Sequence, residues 1–176
     1  SKWIYLSICV YDIVRIFCII NIFDFEIMNF PILSSLILLP IIGSLFLLFS
    51  KDKNSNTGKY VALFTSFVNF LISIYLWYQF DPSTSNFQFI EDREWLKGFI
   101  NYKVGIDGIS ILFIILTSLI TPLCIISVNN TIKDRLRDFL IAILVMESLM
   151  IGVFCSLDLV IFYLFFEAGL IPMFLI

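Results

Sequence analysis

The chain has 176 residues, of which 60% are hydrophobic and 14% charged, with a net charge of −3 and a mean hydropathy of +1.02. Soluble domains are about 45–50% apolar and about 25% charged, and a core able to hide this much apolar surface would need a far larger protein, so the sequence reads as an integral membrane protein. Most of its charges are segregated into loops, which leaves no basic face for nucleic acid, and it has no histidine to serve as a metal ligand or pH switch.

The first 27 residues are ambiguous. "WIYLSICVYDIVRIFCIINIF" is apolar enough to span a bilayer but contains Asp12 and Arg15, three apart and able to pair on one helical face. It also suits a surface helix or a leader-like extension. We expect residues 1–27 to be a hydrophobic extension outside the functional fold, with Met28 a natural start for the uncharged span after it.

A membrane helix needs roughly 20 mostly apolar residues. "PILSSLILLPIIGSLFLLF", from Pro31 to Phe49, meets this without a charge. Pro40 and Gly43 interrupt it, as membrane helices tolerate. After the polar loop "KDKNSNTGK" comes a second span, Tyr60 to Phe80, ending in the interfacial aromatics Tyr75, Trp77 and Tyr78. The segment from Asp81 to Lys103 is expected to be a loop with a short amphipathic turn near Trp95. A third span runs from about Ile106 to Val128, a fourth from Phe139 to Cys155 and a fifth from about Leu157 to Ile176. The fold class is therefore all-α, a polytopic transmembrane helical bundle of about five spans, with a possible sixth helix at the N-terminus. The chain stops inside an apolar run, as expected of one piece of a larger protein.

Lys51, Lys53 and Lys59 occupy one loop and Lys133, Arg135 and Arg137 another, while Asp81, Glu91, Asp92 and Glu94 lie between spans two and three. Positive charge favours the inner side, so the basic loops face cytoplasm or matrix and Met28 the opposite side. Cys9, Cys18, Cys124 and Cys155 sit inside apolar runs without CxxC spacing and read as small hydrophobes rather than ligands.

Two acids stand inside spans. Ser156 and Leu157 form the turn between spans four and five, and a link this short makes an antiparallel helical hairpin. Glu147 and Glu167 then fall at similar depth, roughly 14–15 Å from the turn at 1.5 Å per residue. A charged carboxylate there costs a few kcal/mol or more, so each acid either holds and releases a proton or stays protonated as a hydrogen-bonding group between helices. Asp107 and Asp158 stand where helices begin and read as capping acids. Pro172 is expected to kink the fifth span.

"VGIDGISILFIILT", "IGVFCSLDLVIFYLFFEAGLIPM" and "FDPSTSNFQFIED" resemble the N-terminal third of the antiporter-like subunits of respiratory complex I, in the subunit 4 / subunit M branch. The resemblance covers roughly Met28 to Ile176. It implies residues 28–137 as three N-terminal helices with their loops, and residues 138–176 as the start of the first proton-translocation repeat. It implies that Glu167 is a proton-pathway residue served by a lysine on a later helix, with Glu147 a less secure second. It implies a non-redox subunit, inactive alone and binding no cofactor, with NADH, FMN, iron–sulfur clusters and quinone held by partner subunits. The implied partners are other membrane-arm subunits, the remaining helices of the same subunit and the lipid of a mitochondrial inner or bacterial plasma membrane. A cation/proton antiporter subunit would share these helices, and a membrane-inserted remnant without function is the third possibility.

Overall fold

The structure, a computed structural model, describes residues 31–49, 56–84, 86–96, 100–128 and 135–175. The expectations for residues 1–27 and for Lys51, Lys53 and Lys133 lie outside these. From Ile32 onward the chain forms one compact unit. Among the described residues it contains α1 (Ile32–Phe49), α2 (Asn56–Gln79), a hairpin of β1 (Gln88–Leu96) and β2 (Ile100–Ile106), α3 (Gly108–Ser127), α4 (Leu136–Cys155) and α5 (Leu159–Leu175). Helices α1 to α4 are each long and apolar enough to cross a bilayer. At 17 residues, α5 is at the short end of the roughly 17–25 that suffice. The chain is the helical membrane bundle that its composition implies.

In such helices apolar residues cover every side, so small and polar residues decide which face turns inward. On α1 the buried stripe is Leu33, Leu36, Ile37, Pro40, Gly43, Ser44 and Leu47, the three- and four-residue steps of one helical face. On α2 it is Ala62, Ser66, Asn69, Ser73 and Leu76, and on α3 Ile111, Ile114, Ser118, Thr121 and Ile125. Gly43 brings the α1 backbone against Thr65 so closely that a Cβ there would lie 2.6 Å from Thr65 Cγ2. Ile42, Phe46, Phe64, Phe67, Leu112 and Leu116 point outward, as a lipid-facing surface requires.

Helix α4 is central and packs against each of the other four. Its buried residues include Leu140, Leu144, Glu147, Ser148, Ile151, Gly152 and Cys155. The apolar core has two centres. One, at the hairpin end, gathers Leu36, Ile37, Leu76, Val104, Ile106, Ile114 and Ile151. The other joins Leu47, Ala62, Ile125, Leu140 and Leu144. Along every one of α1 to α4, the buried polar residues fall between them.

The segment expected to be a loop is a β-hairpin. Its strands pair antiparallel, Glu91 opposite Val104, Asp92 opposite Lys103 and Arg93 opposite Tyr102. The signal is the alternation in β2, where Ile100, Tyr102, Val104 and Ile106 are separated by Asn101, Lys103 and Gly105, the period of a half-buried strand. In β1 the acidic run hides this pattern, and a register shift breaks it near Phe89, whose φ is 53°. Lys103 and Asp92 form an exposed cross-strand ion pair at 3.4 Å, the kind worth about 1 kcal/mol or less.

The hairpin joins three helix ends. Glu91 accepts hydrogen bonds from Leu33 N at 2.8 Å, from Ser34 N at 3.2 Å and from the Ser34 hydroxyl. A carboxylate there satisfies exposed amides and opposes the positive end of the helix dipole. Ile106 leads through Asp107 into α3. At the α4–α5 turn, Leu157 N donates to Lys103 O at 3.0 Å and Ser156 pairs with Val104.

Candidate functional site

Glu147 lies eight residues before the end of α4, and Glu167 eight residues after the start of α5. At 1.5 Å per residue each stands about 12 Å from the connecting turn, so their depths match. Their directions do not. Glu147 points into the bundle and is 2% exposed. Glu167 is on the outward face of α5.

The cause is the contact between α4 and α5. Phe165 lies on Gly152, so that a Cβ at Gly152 would come within 2.7 Å of Phe165 Cδ1. With Phe165 turned inward, a residue two positions on is rotated by about 200° around the helix. Glu167 therefore faces away from α4. Glu167 shares this outward side with Tyr163, one turn earlier. Together with Leu164, Ala168, Leu170, Ile171 and Phe174 it lines a shallow, open surface. A Cβ at Gly169, on the same helix, would meet nothing within 4 Å.

Glu147 instead meets α2. Asn69 Nδ2 donates to Glu147 Oε1 at 2.9 Å, with both side chains buried. The neighbouring Ser148 hydroxyl donates to Ile37 O of α1 at 2.5 Å. Ser73 of α2 and Ser118 of α3 share a hydrogen bond at 2.7 Å, and Ser73 also donates to Phe70 O at 2.7 Å. Asn69, Ser73, Ser118 and Ser148 thus build, with Glu147, a polar layer between the two apolar centres. They are absent from the sequence-based site. The usable signal was the α2 stripe, small or polar at positions 62, 66, 69 and 73 within an aromatic-rich helix.

Asp107 is the N-cap of α3, and its Oδ1 accepts from Ser110 N at 2.7 Å. Hydrogen bonds from the Ser110 side chain and backbone hold its carboxyl below the usual carboxylate range. Asp158 stands one residue before α5 and its Oδ1 accepts from Val160 N at 2.7 Å. Cys155 is buried and Cys124 exposed, both as free thiols, while Cys9 and Cys18 lie outside the described residues. Among the described residues no three His, Cys, Asp or Glu side chains gather into a metal site.

These features define a polytopic α-helical membrane protein with two ionisable side chains midway along its apolar helices. No family model matches the chain. It is 46% identical to NADH-ubiquinone oxidoreductase chain 4 of Marchantia polymorpha over 145 residues, 82% of this chain and 29% of that protein. It is 54% identical to NADH-quinone oxidoreductase subunit M of Rhodobacter capsulatus over 125 residues, 71% of this chain and 23% of that protein. With subunit M of Rickettsia prowazekii the identity is 43% over 153 residues, 85% and 31% of the two chains. The matched residues, most of the chain, belong to the family of these chain 4 and subunit M proteins. The chain spans less than a third of the length of these relatives. Mitochondrial and bacterial relatives, with four membrane-length helices, mark a multi-pass protein of an energy-transducing membrane.

Proposed function

We propose that the chain forms the N-terminal portion of a proton-translocating membrane-arm subunit of NADH:quinone oxidoreductase, with Glu167 as the pathway carboxylate. The observation that supports this is the direction of Glu167. α5 carries no basic residue, and a carboxylate turned to lipid at this depth costs a few kcal/mol. A further helix bringing a cation or hydrogen-bond donors to that face removes the cost and gives the acid a partner with which to exchange a proton. In this reading the further helices belong to the additional length of the relatives. Electron transfer among NADH, flavin, iron–sulfur clusters and quinone belongs to other subunits, and this chain binds none of these groups. Glu147 is the secondary carboxyl. The relatives' names favour this over a cation/proton antiporter subunit.

The test is Glu167→Gln in the assembled complex. NADH-driven proton pumping falls several-fold, while complex yield and NADH oxidation by a water-soluble electron acceptor stay at wild-type levels. Undiminished pumping at full assembly would overturn the assignment.

A further inference from the structure

The Asn69–Glu147 pair supports an inference that stands whether or not the chain takes part in pumping. Asn69 Nδ2 already donates to Glu147 Oε1 at 2.9 Å. Among the described residues, the two remaining polar atoms, Glu147 Oε2 and Asn69 Oδ1, are buried without a hydrogen-bond partner. If Glu147 is ionised, both are acceptors, and neither can serve the other. A buried charge with one neutral donor is strongly penalised.

Among the described residues, the elements packed on α4 bring no cation to this depth. α1 and α3 contain no Asp, Glu, Lys or Arg, and the only titratable side chain on either is the exposed Cys124. α2 has Lys59 in its first turn and Tyr60, Tyr75 and Tyr78 towards its ends. α5 has Tyr163 and Glu167, both on its exposed side. Lys103 and Tyr102 of β2 belong to the hairpin end, where Lys103 pairs with Asp92. On α4 itself, Arg137 and Asp138 lie nine or ten residues away in the first turn, and Cys155 about two turns the other way.

A single proton resolves both orphans. On Oε2 it makes that atom a donor, and Asn69 Oδ1 is an acceptor on the same amide group. A carboxylic acid and a carboxamide are planar groups of matching size. Such groups can close a ring of two hydrogen bonds with no net charge, the Nδ2–H to Oε1 bond already present and an Oε2–H to Oδ1 bond that the proton would supply. We propose that Glu147 is carried as the neutral acid in a two-point pair with Asn69, a proton-binding site that bridges α2 and α4 at mid-depth. The proton comes from water when the carboxylate is taken into the bundle, and no other group changes charge. Asn69 acts as the positioning residue.

Infrared difference spectroscopy tests this on the purified complex that contains the chain, at a pH well above the ordinary carboxyl range of about 4. The wild-type minus Glu147→Gln spectrum is expected to contain a protonated-carboxyl C=O band that shifts in D2O. Asn69→Leu is expected to move that band to higher frequency, because Oε1 loses its donor. Glu147→Gln keeps the ring, with the Gln amide donating in place of the acid, so complex yield and thermal midpoint stay at wild-type values. A difference spectrum containing only carboxylate bands would overturn the proposal. A band unmoved by Asn69→Leu would also overturn it, by removing Asn69 from the pair. If Asn69→Leu does not assemble, Asn69→Ser, whose hydroxyl is too short to reach, gives the same reading.

Discussion

Phe165 rests on Gly152 at the α4–α5 interface, close enough that any side chain at position 152 would collide with the ring. This contact sets the rotation of α5 and so the direction of Glu167. Gly152→Ala is expected to destabilise the protein by about 1–3 kcal/mol through overpacking. Phe165→Leu in the same chain should recover part of that loss. Thermal midpoints of the two single variants and the double variant measure the coupling; strict additivity would show that the two residues do not meet.

The open face of α5 gives a second test, one that bears on the proposed function. A Cβ at Gly169 has nothing within 4 Å, so Gly169→Leu fits within the described bundle. If a further helix covers that face in the complex, the added side chain stands in its way. Complex yield, followed on native gels, is then expected to drop several-fold. Normal assembly would show the face to be bare.

Glu91 caps a helix distant in sequence. Glu91→Ala leaves the amides of Leu33 and Ser34 without their acceptor and is expected to cost about 1–2 kcal/mol. Glu91→Gln keeps an acceptor but loses the charge that opposes the helix dipole, so its cost is smaller. Thermal unfolding in detergent should rank the three proteins wild type, Gln, Ala.

Asp107 makes the stability of α3 depend on pH. Its folded-state value is lowered by the hydrogen bonds from Ser110. The cap therefore contributes fully above the ordinary carboxylate range, about pH 3.9, and its contribution fades as pH falls through the lowered value. Asp107→Asn keeps an accepting oxygen without titrating, so its thermal midpoint should lose less than that of wild type between about pH 6 and pH 3. Equal losses would mean that acid sensitivity lies elsewhere.

The spans were legible because length and hydropathy are properties of composition. Every described helix falls within a few residues of its expected limits. Rotation was not legible. α5 is apolar on all sides, so nothing along "LVIFYLFFEAGLIPMFL" says which face turns inward. That is decided by a glycine on the preceding helix. The depth match of Glu147 and Glu167 followed from counting alone, whereas the partnership of Glu147 with Asn69 needs the packing of α2 on α4. The hairpin was missed because its acidic strand reads as polar loop, although Ile100, Tyr102, Val104 and Ile106 carry the alternation of a strand.

The bond from Glu91 back to Leu33 spans 58 positions, and this orders events during synthesis. When α1 leaves the ribosome, the carboxylate that will close its amino end has yet to be translated. It arrives only after α2, and the bond between Lys103 and Leu157 cannot form until Leu157 itself has been made, after α4 is complete. The hairpin end of the bundle therefore cannot be completed until the turn between α4 and α5 has been made, although the strand pair that closes it comes from midway along the chain.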